Sequence, residues 1–510
     1  MEISLFKSIK VVSAERAFRT VLEHVQPSVR NALQRSLFVR RDKAVTAVIE
    51  SDYLDIDYSS SFFLQQGRSF TPLSRRTKRI HFFSSRVSKR RIAESSPEVI
   101  NCKSYLGYTV VRPLQPLTVG RTFIRPPESI DGYRAFFPTQ VEIQIDLCGI
   151  KLKVEACPYI SQDQLVMACA TASLWMSNSS LAPKVAGVRQ CTTSEITALA
   201  LSLGEPYGPA VGSRGLRLDE EEKAFCGLGY DPKLWEYPEM KHLVEVCYTH
   251  VEGGIPPVLN VYFPYQEVEG THVEGLHAFT VVGHLMDIQS RRQEPIYKNI
   301  YGASEFVPAF IINDDQNGIY LRAEVFSAGK EQRPLRAGLR IWMGNKKITG
   351  YCVGLLIPFP PRVLLPGTHA TRLAAYWLHY LQSQSILPAK PLVVRTFLAR
   401  SNVFKESIVE QLDVPQLKAI YRSLPLPRYI WVAEYGYLDD WCGTDCDNLV
   451  KQGEFIFDAT LPPAVKAEWL TMHWQGAILV RRIKQERLQT EYYPIEKDRP
   501  CSLLVAPVRP

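Results

Sequence analysis

From residue 141 to 156 apolar and polar residues alternate on both sides of Cys148-Gly149 ("VEIQIDLCGIKLKVEA"). This is the two-residue period of a strand, and the pair at its centre predicts a hairpin with a tight turn. Upstream, "YLGYTVVRPL" and "GRTFIRPP" read as further strands from about residue 105. Residues 15–50 carry the other period: Leu, Val and Ala recur every three or four positions in "AFRTVLEHVQ" and "VRNALQRSLF", which predicts helix. After residue 160 the period changes again. "SQDQLVMACATASLWMSN" predicts a turn followed by a helix. "TTSEITALALSLG" predicts a second helix, with Thr192 and Glu195 at capping-box spacing and Gly204 as its stop. Three strand-like runs follow, "PPVLNVYF", "HAFTVVGHL" and "FVPAFIIND". Beyond residue 350, strands such as "RYIWVAEY" and "GEFIFDAT" mix with a helix around "ATRLAAYWLHYLQSQ".

A chain of 510 residues exceeds one ordinary core, so more than one domain is expected. At 46% apolar and 22% charged, the composition is that of a globular protein and excludes a fibrous or disordered chain. No run reaches the roughly 18 apolar residues of a membrane span, and none resembles a signal peptide. Eleven cysteines without the dense spacing of a disulfide scaffold predict a thiol-reduced, cytoplasmic setting. The net charge of +8 is concentrated: residues 68–91, "RSFTPLSRRTKRIHFFSSRVSKRR", hold nine Lys or Arg and no acid. Such a run is either a solvated surface or a contact for nucleic acid or an acidic partner.

A thiol nucleophile needs a proton acceptor, a group that fixes that acceptor's tautomer, and a donor for the developing oxyanion. The chain offers all of these in a usable order. Cys169 stands near the start of the predicted helix among Ala168, Ala170, Thr171 and Ala172, whose small side chains leave the sulfur approachable. Gln162 and Gln164 lie just upstream as candidate oxyanion donors. His277 opens an apolar strand; His284, seven residues on, faces the opposite side, and His272 lies in the preceding Gly-rich stretch. Asp314 closes the run "FVPAFIIND" and is the first candidate to hold the ring, with Asp315 and Asn313 as alternatives. Cys442 and Cys446 lack the second pair a structural zinc site needs, and no metal or organic cofactor is required.

The segments "PYISQDQLVMACATASLWM", "GGIPPVLNVYF", "GLHAFTVVGH" and "FIINDDQNG" together resemble papain-like cysteine peptidases over about residues 155–320. They are most similar to the bacterial branch that cleaves double-glycine leaders from bacteriocin precursors. The resemblance implies Cys169 as nucleophile, His277 as general base, Asp314 as orienting acid and Gln162 or Gln164 as oxyanion donor. Ala168-Cys169-Ala170 stands where that branch has Asp-Cys-Gly, and the spacings from Cys169 to His277 and from His277 to Asp314 are longer here.

The expectation is therefore an α+β protein with a papain-like cysteine hydrolase core, its Cys-bearing helix packed on an antiparallel sheet that carries His and Asp. Residues 1–100 would form an N-terminal helical and basic region, 101–365 the hydrolase domain with its leading hairpins, and 366–510 a C-terminal α+β extension. The expected reaction is cleavage of a peptide or protein amide bond. The same triad could instead serve deamidation or transglutaminase-like acyl transfer. A third expectation, of another class, is an inert binding or sensor protein acting through residues 68–91.

Overall fold

The alternation on either side of Cys148-Gly149 folds as it reads. Val141–Leu147 pairs antiparallel with Ile150–Ala156, and the turn is closed by two left-handed residues, Cys148 at φ 54° and Gly149 at φ 87°. The computed structural model describes residues 9–21, 29–33, 44–64, 73–93, 102–114, 119–162, 169–201, 215–268, 271–287, 294–329, 334–343, 346–441, 450–462, 468–484, 487–495 and 501–502. Helix and strand are mixed, at 30% and 43%.

The chain forms two units that interleave along the sequence. The first comprises residues 1–238, 256–283 and 310–358, and the second 239–255, 284–309 and 359–510. The expected cut near 365 lies close to the last crossing. The expected cut at 100 falls inside the first unit, because strand Thr77–Phe83 pairs with Tyr105–Val111 across it. These two belong to a five-stranded sheet with Ile9–Ser13, Thr46–Tyr53 and Val119–Ile124. The helical reading of 15–50 therefore needs correction. Ala14–Val21 and residues 29–33 are helical, but Thr46–Tyr53 is a strand. Its β-branched Thr46, Val48 and Ile49 favour a pleated surface, and pairing on both edges overrides the longer period.

The rest of the first unit is built on a six-stranded barrel. Lys346–Phe359, Ala337–Met343, Gly318–Ser327, Phe310–Asp314 and Thr271–Met286 follow one another, and Val258–Val268 closes the ring by pairing with both ends. The helix Cys169–Leu181 packs against Val258–Val268. Every residue of it after Cys169 is buried, which its Ala, Ser and Thr side chains permit by letting backbones approach. Thr280 donates to the Ser173 carbonyl at 3.0 Å and Ser177 to that of Pro256 at 2.7 Å, fixing the helix on the barrel. The next helix, Thr193–Leu201, has the predicted capping box: the Thr192 N–H reaches Glu195 at 2.7 Å. Gly204 lies outside the described residues. Asp57 adds a tertiary cap, accepting from the Thr193 N–H at 2.8 Å.

In the same unit, helix Leu218–Leu228 buries Glu221 against Asn260, whose amide donates to it at 2.8 Å. Burial outweighs that hydrogen bond and, with Glu220 adding to it, pushes the Glu221 carboxyl up to about 8. A carboxyl raised in the folded state contributes stability that is complete below its unfolded value and lost as pH rises through 8. Glu221→Gln should thus flatten the decline in denaturant midpoint between about pH 5 and 8, and an unchanged slope would contradict this assignment.

The second unit holds a seven-stranded sheet in the order Ile300–Gly302, Leu392–Arg400, Tyr429–Tyr437, Gly453–Asp458, Trp469–Trp474, Ala477–Lys484, Arg487–Pro494. Its first strand comes from the insert between His277 and Asp314. Four register-matched residues form a buried row across four neighbouring strands: Arg395, Glu434, Glu454 and His473. Lys451 bridges Glu434 at 3.2 Å and Glu454 at 2.9 Å. At the other end Arg395 meets Glu252 at 2.5 Å, and Glu252 meets His284 at 2.5 Å.

Candidate active site

Strand alternation turns His277 and Phe279 to the same side of Thr271–Met286, and the two rings stand edge-on at 4.6 Å and 82°. Phe279 thus walls the imidazole. Asp314 ends its strand, and the chain reverses through residues 315–317 into Gly318, at φ 117°, a conformation that favours glycine. That turn encloses the Asp314 carboxylate. It accepts from the backbone N–H of Gln316 at 2.8 Å and of Asn317 at 3.1 Å, and from the Asn317 amide at 2.7 Å.

His277 Nε2 lies 3.1 Å from Asp314 Oδ1. With Asp314 ionised, Nε2–H donates to it, and Nδ1 is the nitrogen left for another partner. Cys169, the first residue of the buried helix, half-buried and free, is the group whose charge acts most strongly on this ring. Burial alone would lower the His277 pKa. Instead the charge interaction with Cys169, followed by those with Asp314 and Asp315, holds it well above its ordinary value. Asp314 shows the complementary balance. Burial would raise it, but His277, Asn317 and Gln316 outweigh that and hold it below the usual carboxylate value.

Asp315 shares this edge of the ring. Its Oδ1 lies 3.3 Å from the same Nε2, and the group is fully buried. Burial, partly offset by His277 and reinforced by Asp314, pushes its carboxyl up to about 7. His277, Asp314 and Asp315 form the one cluster of ligand-type atoms among the described residues, all within 4.8 Å of one another. The 3.1 Å separation of Nε2 and Asp314 Oδ1 is a hydrogen-bond distance.

Gln162 is buried beside this assembly, with its backbone N–H acting on the Asp315 carboxyl. Arg112 fixes the same segment from below, donating to the carbonyls of Ser161 at 2.9 Å, Val119 at 3.1 Å and Gln162 at 3.3 Å. Gln164 lies outside the described residues, as do Cys442 and Cys446. Asn313 is committed elsewhere: its amide donates to the Pro158 carbonyl at 2.9 Å and accepts from Tyr320 N–H at 3.0 Å. His284 belongs to the second unit's ion-pair row, and the His272 side chain lies outside the described residues.

Four residues of the site carry no signal as functional groups in the sequence reading: Phe279, Asn317, Arg112 and Tyr159, whose hydroxyl donates to the Asp315 carbonyl at 3.4 Å. Two were legible in principle. Phe279 is two positions from His277 on a strand, and Asn317 follows an Asp at turn spacing. Arg112 and Tyr159 act through contacts that local pattern does not encode.

The remaining thiols make a contrast. Cys157 and Cys352 are buried among apolar groups, which pushes both up to about 12. Where the basic run is described, Arg75, Arg76, Lys78, Arg86, Lys89 and Arg90 are exposed and Arg79 is half-buried. Arg79 pairs with Glu50 at 2.5 Å and stacks on Tyr53 at 4.2 Å, while His81 lies 2.9 Å from the same carboxylate. Arg75 lies over Phe63 at 4.6 Å.

Compared with known proteins, the chain matches no family model and no curated protein. Among the described residues, no helix is long and apolar enough to cross a membrane.

Proposed function

We propose that the protein is a cysteine hydrolase that cleaves a peptide or protein amide bond through Cys169, His277 and Asp314. The observation that carries this reading is the convergence of three side chains from a helix start, a strand and a strand end, with the imidazole bonded to the acid through Nε2 and charge-coupled to the thiol. Cys169 gives its proton to His277 and attacks the carbonyl carbon; the carbonyl electrons move to oxygen, which Gln162 or Gln164 would meet. His277 then protonates the leaving amine as the C–N bond breaks. Water, deprotonated by His277, cleaves the thioester and restores the thiol. Asp314 keeps the ring in the required tautomer throughout. The free thiols among the described residues fit a reducing compartment, and we assign the protein to the cytoplasm on that basis.

Iodoacetamide labelling at pH 6, read by mass spectrometry, tests the nucleophile without a known substrate. Cys169 should react on the order of a hundredfold faster than ordinary thiols, and a chelator should not change this. His277→Ala should abolish the preference. Equal labelling of Cys169 and the exposed Cys148 and Cys226 would refute the reading. Once a substrate is found, product mass separates hydrolysis from acyl transfer to an amine.

A further inference from the structure

Two carboxyl groups meet one nitrogen in this site, and the proposed chemistry uses only one of them. Asp314 is saturated by donors from its own turn. Asp315 is equally buried, with Oδ1 3.3 Å from Nε2; neither of its carboxylate oxygens has a hydrogen bond of good geometry, and the Gln162 backbone N–H acts on it electrostatically. We propose that Asp315 is a second positioning residue for His277, sharing the Nε2 edge with Asp314 and tying that edge to the Gln162 segment. The inference rests on the cysteine hydrolase reading and deepens it.

The groups facing Asp315 come from three places: Asp314 from its own turn, His277 from the neighbouring strand, and Tyr159 with the Gln162 N–H from the preceding segment. Arg112 reaches the carbonyls on that same segment. The Asp315 environment favours the neutral acid, so near pH 7 this group changes charge while Asp314 does not. Below that pH Asp315 adds a polar contact without adding charge. Above it, a second negative charge holds the imidazolium more firmly and keeps its proton available for the leaving amine at higher pH.

Histidine Cε1 resonances followed by NMR across pH 4–10 test this, with His277 assigned by its loss in His277→Gln. Removing the ionisable acid in Asp315→Asn should move the His277 titration down by about one pH unit or more and erase its inflection near 7. Asp315→Glu should restore part of both. In the unaltered chain, an aspartate carboxyl resonance should titrate near 7 in step with His277, a measurement that needs no variant. A His277 curve unchanged in Asp315→Asn, or no aspartate titrating between pH 6 and 8, overturns the proposal. If Cys169 also lacks selective labelling, the hydrolase reading fails with it; if labelling is selective, only the role of Asp315 fails.

Discussion

Replacing Cys169 with alanine should reduce turnover of any amide substrate by a factor on the order of 10⁴ or more, because loss of the nucleophile removes the covalent route as a whole. Folding should survive. Cys169 is the only residue of its helix that is not buried, so the change removes one sulfur from a half-open position while Ala170 to Leu181 keep their packing. The thermal midpoint should stay within a few degrees of the parent. His277→Ala should cost nearly as much activity as Cys169→Ala, and the double variant little more, since the two act as a unit. Asp314→Asn should cost less: the amide can still contact the ring but no longer stabilises its charge. Scoring the products of a peptide library by mass gives the readout. Full activity in Cys169→Ala would end the assignment of Cys169 as nucleophile.

How much of this was legible beforehand follows from where each residue sits. Cys169, His277 and Asp314 each stand at a boundary of pattern, at a helix start, a strand opening and a strand end, where a polar or reactive residue beside an apolar run is conspicuous. The capping box at Thr192 and Glu195 and the turn at Cys148-Gly149 are local chemistry and were equally readable. The interleaving was not. Between the runs "HAFTVVGHL" and "FVPAFIIND" the sequence shows no strand pattern, because the strand there, Ile300–Gly302, is short and pairs with residues 392–394 far along the chain. That excursion also accounts for the long spacing between His277 and Asp314. Thr46–Tyr53 was misread because its strand character depends on two partners that no local window contains. The sharing of Nε2 by Asp314 and Asp315 escaped for a different reason: alternation assigns adjacent residues to opposite faces, and a turn at the strand end suspends that rule.

The row of charges in the second unit was invisible for the same non-local reason, and it supports the largest expected effect on stability. Arg395, Glu434, Glu454 and His473 lie on four separate, largely apolar strands, and only the register brings them together. Arg395 is the junction, pairing with Glu252 at 2.5 Å and Glu434 at 3.1 Å, both carboxylates buried. Such a network need not stabilise the fold relative to a well-packed apolar core, but removing its central cation leaves two buried acids undercompensated. Arg395→Met should therefore cost the second unit about 3–5 kcal/mol, seen as lost hydrogen-exchange protection along Leu392–Arg400 and Tyr429–Tyr437. Adding Glu252→Gln should recover part of the loss, because it removes one of the stranded charges. The pH dependence should also change. Burial would raise Glu252, but Arg395 and His284 hold it down to about 2, so in the parent its contribution is present above about 4.5 and lost as pH falls toward 2. Without Arg395 the same carboxyl is raised by burial, and the variant should gain stability as pH falls from 7 to 5. A variant within about 1 kcal/mol of the parent at pH 7 would mean that Lys451 and the two histidines balance the acids without the arginine.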